Sequence, residues 1–210
     1  MTRLTFLTLP PSPYNIKVRL ALKLKGLDFE TIEVGFEDRK EVIKRSGQPL
    51  TPVLVDGDRT VYDSFGILRY LDANWPEPKL FNETREGQRE IQDWEAYSRE
   101  VGAALGLVAG QAFSGEVDDA KTKQSEELYL TLPERTEAAL ANQDYLMGDK
   151  PNAADLSVMP FFQLAIAMPD SVPEGLLRFV AERVNLDGKF PLTRAWAERV
   201  LALDAAVVSS

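Results

Sequence analysis

Ser12 is the residue whose type and setting could do chemistry. It stands among Pro10, Pro11 and Pro13, after a β-rich apolar run (Leu4–Leu9) and before a helical stripe of Ile16, Leu20 and Leu24. Pro13 suits a first helical turn, where a missing N–H is no loss. Gly26 stands where a glycine ends the helix. Ser12 therefore occupies a helix N-terminus, the place of unpaired N–H groups and the positive dipole end. A hydroxyl there either caps the helix or donates to a bound anion.

The composition removes most other chemistries. The 210 residues include no cysteine and no histidine. Disulfides, thiolate nucleophiles, Cys/His metal sites and serine–histidine–aspartate catalysis are all excluded. Any thiol must come from a bound small molecule, and no metal is expected. The net charge of −9 disfavours nucleic-acid binding. Lys17, Arg19, Lys23 and Lys25 on the first helix are expected to form a solvated face. No signal peptide or membrane-spanning stretch is expected. Absence of cysteine fits a reducing, cytoplasmic setting.

The elements around Ser12 follow from periodicity and punctuation. Phe29–Val34 reads as a second strand, parallel to the first through a right-handed crossover. Glu37–Arg45 reads as a short helix. Pro52–Val55 and Thr60–Tyr62 form a hairpin about Asp56-Gly57-Asp58. Asp63-Ser64 then caps a helix with a stripe of Ile67, Leu71 and Trp75. After the Pro-rich link at residues 76–82 the pattern is wholly helical. Helices are expected over Glu86–Phe113, over residues 118–142 with a break at Pro133, over Asn152–Met168, over Glu174–Val184 and over Leu192–Ala205. Asn152 and Asp155 form a capping box. The expected fold class is α/β plus all-α, with domains at residues 1–78 and 84–210.

Four separated pieces together resemble the cytosolic glutathione transferases. Ser12-Pro-Tyr-Asn-Ile-Lys-Val-Arg19 is similar to their active-site turn, here of the serine-containing bacterial type. Thr51-Pro52-Val53-Leu54 resembles their cis-proline strand, Asp63-Ser64 their γ-glutamyl turn, and Asn152-Ala-Ala-Asp155 their helical-domain cap. The resemblance implies a thioredoxin-like βαβ-ββα domain, an α-helical domain and a homodimer. It implies glutathione as co-substrate, transferred to small hydrophobic electrophiles in detoxification. Ser12 is then the catalytic donor to the thiol, with Tyr14 and Asn15 as rivals. Asn15, Gln48, Leu50, Thr51, Pro52, Asp63 and Ser64 are expected to bind glutathione. Pro11, Tyr14, Tyr97, Val101 and Leu105 are expected to meet the electrophile. Leu50 departs from the Lys or Gln that holds the glycyl carboxylate in the family, and Gln48 is expected to substitute. Asp204 stands where the family commonly has Arg.

Two alternatives stay open: a glutathione-dependent disulfide reductase or peroxidase, and a non-catalytic binder of glutathione or hydrophobic ligands. Outside the resemblance, Gly102, Gly106 and Gly110 recur every four residues on the first long helix. Each costs about 1 kcal/mol against Ala. Such a stripe either admits a close helix or opens space for an acceptor.

Overall fold

The computed structural model describes residues 4–113, 118–168 and 172–204. The chain divides into two compact units. One holds the chain up to Gln88 together with the stretch from Ala202 on; the other holds Arg89–Leu201. The division falls after the Pro-rich link, in the early turns of the first long helix.

The first unit runs β1 (Leu4–Thr8), α1 (Pro13–Leu24), β2 (Phe29–Glu33), α2 (Lys40–Ser46), β3 (Val53–Asp56), β4 (Arg59–Tyr62) and α3 (Ser64–Asn74). The sheet order is β2-β1-β3-β4. β1 and β2 are parallel, from Leu4 opposite Phe29 to Thr8 opposite Glu33. β3 runs antiparallel to β1, and β4 returns antiparallel to β3. Gly57, with φ of 57°, supplies the positive φ that the hairpin turn requires. Side chains alternate along each strand, so both faces of the sheet are used. Leu7 and Val53 pack with Val42 of α2 on one face. Their strand neighbours Phe6 and Leu54, also fully buried, point to the face covered by α1 and α3.

α1 ends as its glycine requires. The Gly26 N–H bonds the Lys23 carbonyl, and the Leu27 N–H reaches back to Leu22 at 3.0 Å. This Schellman arrangement needs the left-handed φ of 62° at Gly26. Of the four basic residues on α1 and at its C-cap, two correct the expectation of a solvated face: Lys17 and Lys25 are buried. The Lys25 ammonium donates to Asp72 Oδ1 at 2.9 Å and to the carbonyls of Trp75 and Pro78. It thereby satisfies the C-terminal end of α3. Arg19 is a partly exposed exception of another kind. It forms a two-pronged pair with Asp204, at 2.7 to 3.1 Å, and binds the returning C-terminal stretch to α1. The acidic residue at position 204 thus has its partner inside the same unit.

The second unit is helical. It contains most of α4 (Arg85–Phe113), then α5 (Asp119–Thr131), α6 (Pro133–Ala139), α7 (Ala153–Val158), α8 (Gln163–Ile166), α9 (Leu176–Val184) and all but the last residue of α10 (Pro191–Ala202). Pro133 divides α5 from α6, as its missing N–H demands. The single helix expected over Asn152–Met168 is instead α7, a 3₁₀ turn over Met159–Phe162, and α8. Pro160 is the cause, since it cannot donate to an α-helical ladder. The capping box at Asn152 and Asp155 is present. The Asp155 carboxylate also accepts from Leu146 N–H and from the Trp196 indole, both at 2.8 Å. Around it Tyr129, Phe162 and Trp196 stack edge to face.

Candidate functional site

α1 begins where the proline run forces the chain out of β1. Ser12 takes the N-cap position, and its carbonyl accepts from the N–H groups of Asn15 and Ile16 at 3.0 and 3.1 Å. Its hydroxyl makes no capping bond. The residue is half-buried. The side chain is thus not engaged in holding the helix.

A second wall comes from the segment before β3. The Thr51–Pro52 bond is cis, as are Pro10–Pro11 and Glu77–Pro78. Pro52 is buried, and Thr51 is half-buried just ahead of the strand ladder. Asn15 of α1 donates through Nδ2 to Thr51 Oγ1 at 3.2 Å. The third wall is the start of α3. Asp63 Oδ1 accepts from the N–H groups of both Phe65 and Gly66 at 2.8 Å, while Oδ2 takes neither bond. Ser64 is buried at the first helical position.

The α1 N-terminus, through Tyr14, and the other two walls border an open cavity of about 430 Å³ lined by Tyr14, Gln48, Leu50, Thr51, Pro52, Tyr62, Asp63, Ser64 and Phe65. That volume suits a small-molecule ligand. Six of the residues expected to bind glutathione therefore line one cavity, and Tyr14 joins them. Ser12, Pro11 and Asn15 do not line it. Asn15 is only 1% exposed and lies behind Thr51.

Gln48 does not stand as the expected substitute for a carboxylate-binding side chain. Its Nε2 donates to Ser46 Oγ and to the Leu50 carbonyl, and its Oε1 accepts from Leu50 N–H. Both amide ends are engaged in shaping the loop, so no free donor remains. Leu50 is exposed at the cavity rim.

The residues of the helical unit expected to meet the electrophile differ in burial. Tyr97 and Val101 lie in that unit's core. The Tyr97 hydroxyl donates to the Leu132 carbonyl at 2.5 Å, and burial raises its pKa. Tyr97, Val101 and Leu105 recur at the spacing of one helix face, and this face is the packed one. Only Leu105, half-buried, retains surface.

Two lining residues escaped the sequence reading, Tyr62 and Phe65. Each flanks the Asp63-Ser64 pair, and that adjacency was the available signal. Phe65 has a further partner: the Lys17 ammonium sits 3.3 Å from its ring centroid and 5.8 Å from that of Tyr14. A buried cation therefore lies against two aromatic walls of the cavity.

The family models for the N-terminal and C-terminal domains of glutathione S-transferases match residues 7–79 and 103–204. The chain belongs to the glutathione S-transferase family. Glutathione S-transferase F10 of Arabidopsis thaliana is 28% identical over 189 residues, covering 83% of this chain and 86% of its own. Glutathione S-transferase Z1 of the same plant is 46% identical over 86 residues, 39% of this chain and 38% of that one. Among solved structures, the glutathione transferase URE2P6 of Phanerochaete chrysosporium, in complex with oxidised glutathione, superposes with a TM-score of 0.79 at 22% identity. The match covers 98% of this chain and 94% of that one. The transferase fold is thus the thioredoxin-like sheet unit followed by the helical unit, as described above.

Proposed function

We propose that this family member binds glutathione in the cavity of its first unit and transfers it to small hydrophobic electrophiles. The observation that carries the reading is the convergence of Thr51-Pro52 and Asp63-Ser64 on one cavity. Each pair matches a distinct portion of glutathione. The backbone at Thr51 pairs with the cysteinyl unit as an added strand would. Asp63 accepts from the γ-glutamyl ammonium, and Ser64 with the α3 N-terminus receives its carboxylate. Ser12 donates to the sulfur and holds it as thiolate, the nucleophilic form. The electrophile is then attacked by that sulfur, and its leaving group departs. The glycyl carboxylate is held loosely, because Leu50 offers no donor and the Gln48 amide is engaged in its loop. We further infer a cytoplasmic homodimer, on the strength of family membership.

The test is retention on immobilised glutathione, followed by turnover with a chloronitrobenzene acceptor and with hydroxyethyl disulfide. Retention and conjugation of the chloronitrobenzene are expected. Disulfide turnover alone would replace this reading with a reductase. Retention without turnover of either would leave a binding protein.

A further inference from the structure

We infer that Asn15 is a positioning residue, which ties the turn carrying Ser12 to the Thr51 wall of the cavity and so fixes the spacing between the two groups that hold the thiol and the cysteinyl backbone. The inference rests on the glutathione reading above and goes one layer behind it.

Asn15 bonds to both sides of that spacing. Its backbone N–H donates to the Ser12 carbonyl at 3.0 Å. Its side-chain Nδ2 donates to Thr51 Oγ1 at 3.2 Å, across 36 residues of sequence. Asn15 is only 1% exposed and its amide is engaged with Thr51, so it acts through the Ser12 turn and Thr51 and not on a ligand directly.

The other end of the same amide makes the case sharper. Asn15 Oδ1 is buried and finds no hydrogen-bond donor among the described residues. A buried polar atom left in that state costs roughly 1–3 kcal/mol. Its neighbours along α1, Ile16 and Val18, are buried and apolar. A leucine at position 15 would meet the burial without that cost. Packing alone therefore does not account for an amide here, whereas the bond to Thr51 does. The contact also explains how a turn in α1 and a loop before β3 are kept in register, although neither lies in the strand ladder.

The experiment compares the parent with Asn15→Leu, Thr51→Val, the double variant, and Asn15→Leu in a Ser12→Ala background. Three quantities are read: the urea midpoint, KM for glutathione, and the pKa of the bound thiol from thiolate absorbance. The double variant removes both partners and the orphan oxygen together, so it is expected to unfold at or above the parental midpoint. Its KM for glutathione is expected to rise about tenfold and its bound thiol pKa by about one unit, since both holding groups lose their fixed spacing. In the Ser12→Ala background, Asn15→Leu is expected to move the thiol pKa no further. Asp63 at the cavity and Lys17 behind its aromatic residues are unchanged throughout, and every substitution is neutral for neutral, so the shift cannot come from altered charge.

Variants that keep the parental KM and thiol pKa, at any stability, overturn the positioning role. So does a shift of equal size with Ser12 already removed. Should Asn15→Leu fail to fold, Thr51→Val breaks the same bond from a half-buried loop position and carries the test alone. A parent that binds no glutathione overturns the functional reading as well; a parent that binds, with variants that match it, overturns only this one.

Discussion

At the scale of single residues, the central question is what a lone hydroxyl can do without histidine or cysteine. A free thiol titrates near 8.5, so about pH 7 leaves only a few per cent as thiolate. Lowering that pKa by about two units requires roughly 2.7 kcal/mol of preference for the anion. One hydrogen bond to a charged group supplies roughly 1.5–3 kcal/mol, and the helix dipole adds about 0.3–1. The Ser12 hydroxyl makes no capping bond that would compete with this role. Ser12→Ala is therefore expected to raise the pKa of bound thiol by about one to two units, with glutathione affinity within a few-fold. The pH profile of conjugation, read beside thiolate absorbance, checks it. A parental profile in Ser12→Ala, with a shifted one in Tyr14→Phe, would transfer the role to Tyr14.

At the scale of elements, the glycine stripe on α4 resolves into two situations. A Cβ on Gly102 would lie 2.7 Å from Phe161 Cε1, inside the helical unit. Phe161 is buried, so its ring has little room to move. Among the described residues, Gly106 and Gly110 would meet nothing within 4 Å. The close-packing reading thus has a partner side chain at Gly102 within the unit, and none among the described residues at the other two. Gly102→Ala is expected to lose stability, because overpacking costs about 1–3 kcal/mol and outweighs a helix-propensity gain of about 1. Gly106→Ala is expected to gain roughly 0.5–1 kcal/mol. Urea midpoints of the two variants decide it. A loss at Gly106 comparable to that at Gly102 would show a second helix seated on that face.

At the scale of the whole molecule, Asp155 links acidity to stability. Burial pushes its pKa up from the ordinary 3.8 to about 6, against the lowering effect of the N–H groups that bond it. The folded state therefore favours the protonated form. That contribution is complete below the unfolded pKa and is lost as pH rises through about 6. The difference of about two units corresponds to roughly 3 kcal/mol. Asp155→Asn cannot titrate, and its amide sets N–H against the N–H of Asn152 or Leu146, which costs about 1–3 kcal/mol. The variant is expected to be less stable than the parent near pH 4, with the gap narrowing as pH rises past about 6. Urea unfolding across that range measures it. A gap that widens with pH would mean that the N–H donors hold the carboxylate in its charged form.

Much of this architecture was legible in the sequence because it is locally encoded. The Schellman glycine at position 26, the Asp56-Gly57 turn, the Asp63 cap and the Asn152–Asp155 box are each fixed by neighbours a few residues away. The break at Pro160 is equally local, set by the proline's missing N–H. The parts of the cavity were legible for the same reason, since Thr51-Pro52 and Asp63-Ser64 each open an element. What tertiary structure alone decided is which distant groups meet. Lys17 turns inward onto Phe65, Lys25 closes the end of α3, and Asn15 reaches Thr51 across 36 residues. Tyr97 and Val101 go to a core for the same cause. A helical stripe states that one face is buried, but only packing states against what. A lysine or an amide shows no periodicity that reveals its partner, because that partner is supplied by another element arriving from elsewhere in the chain.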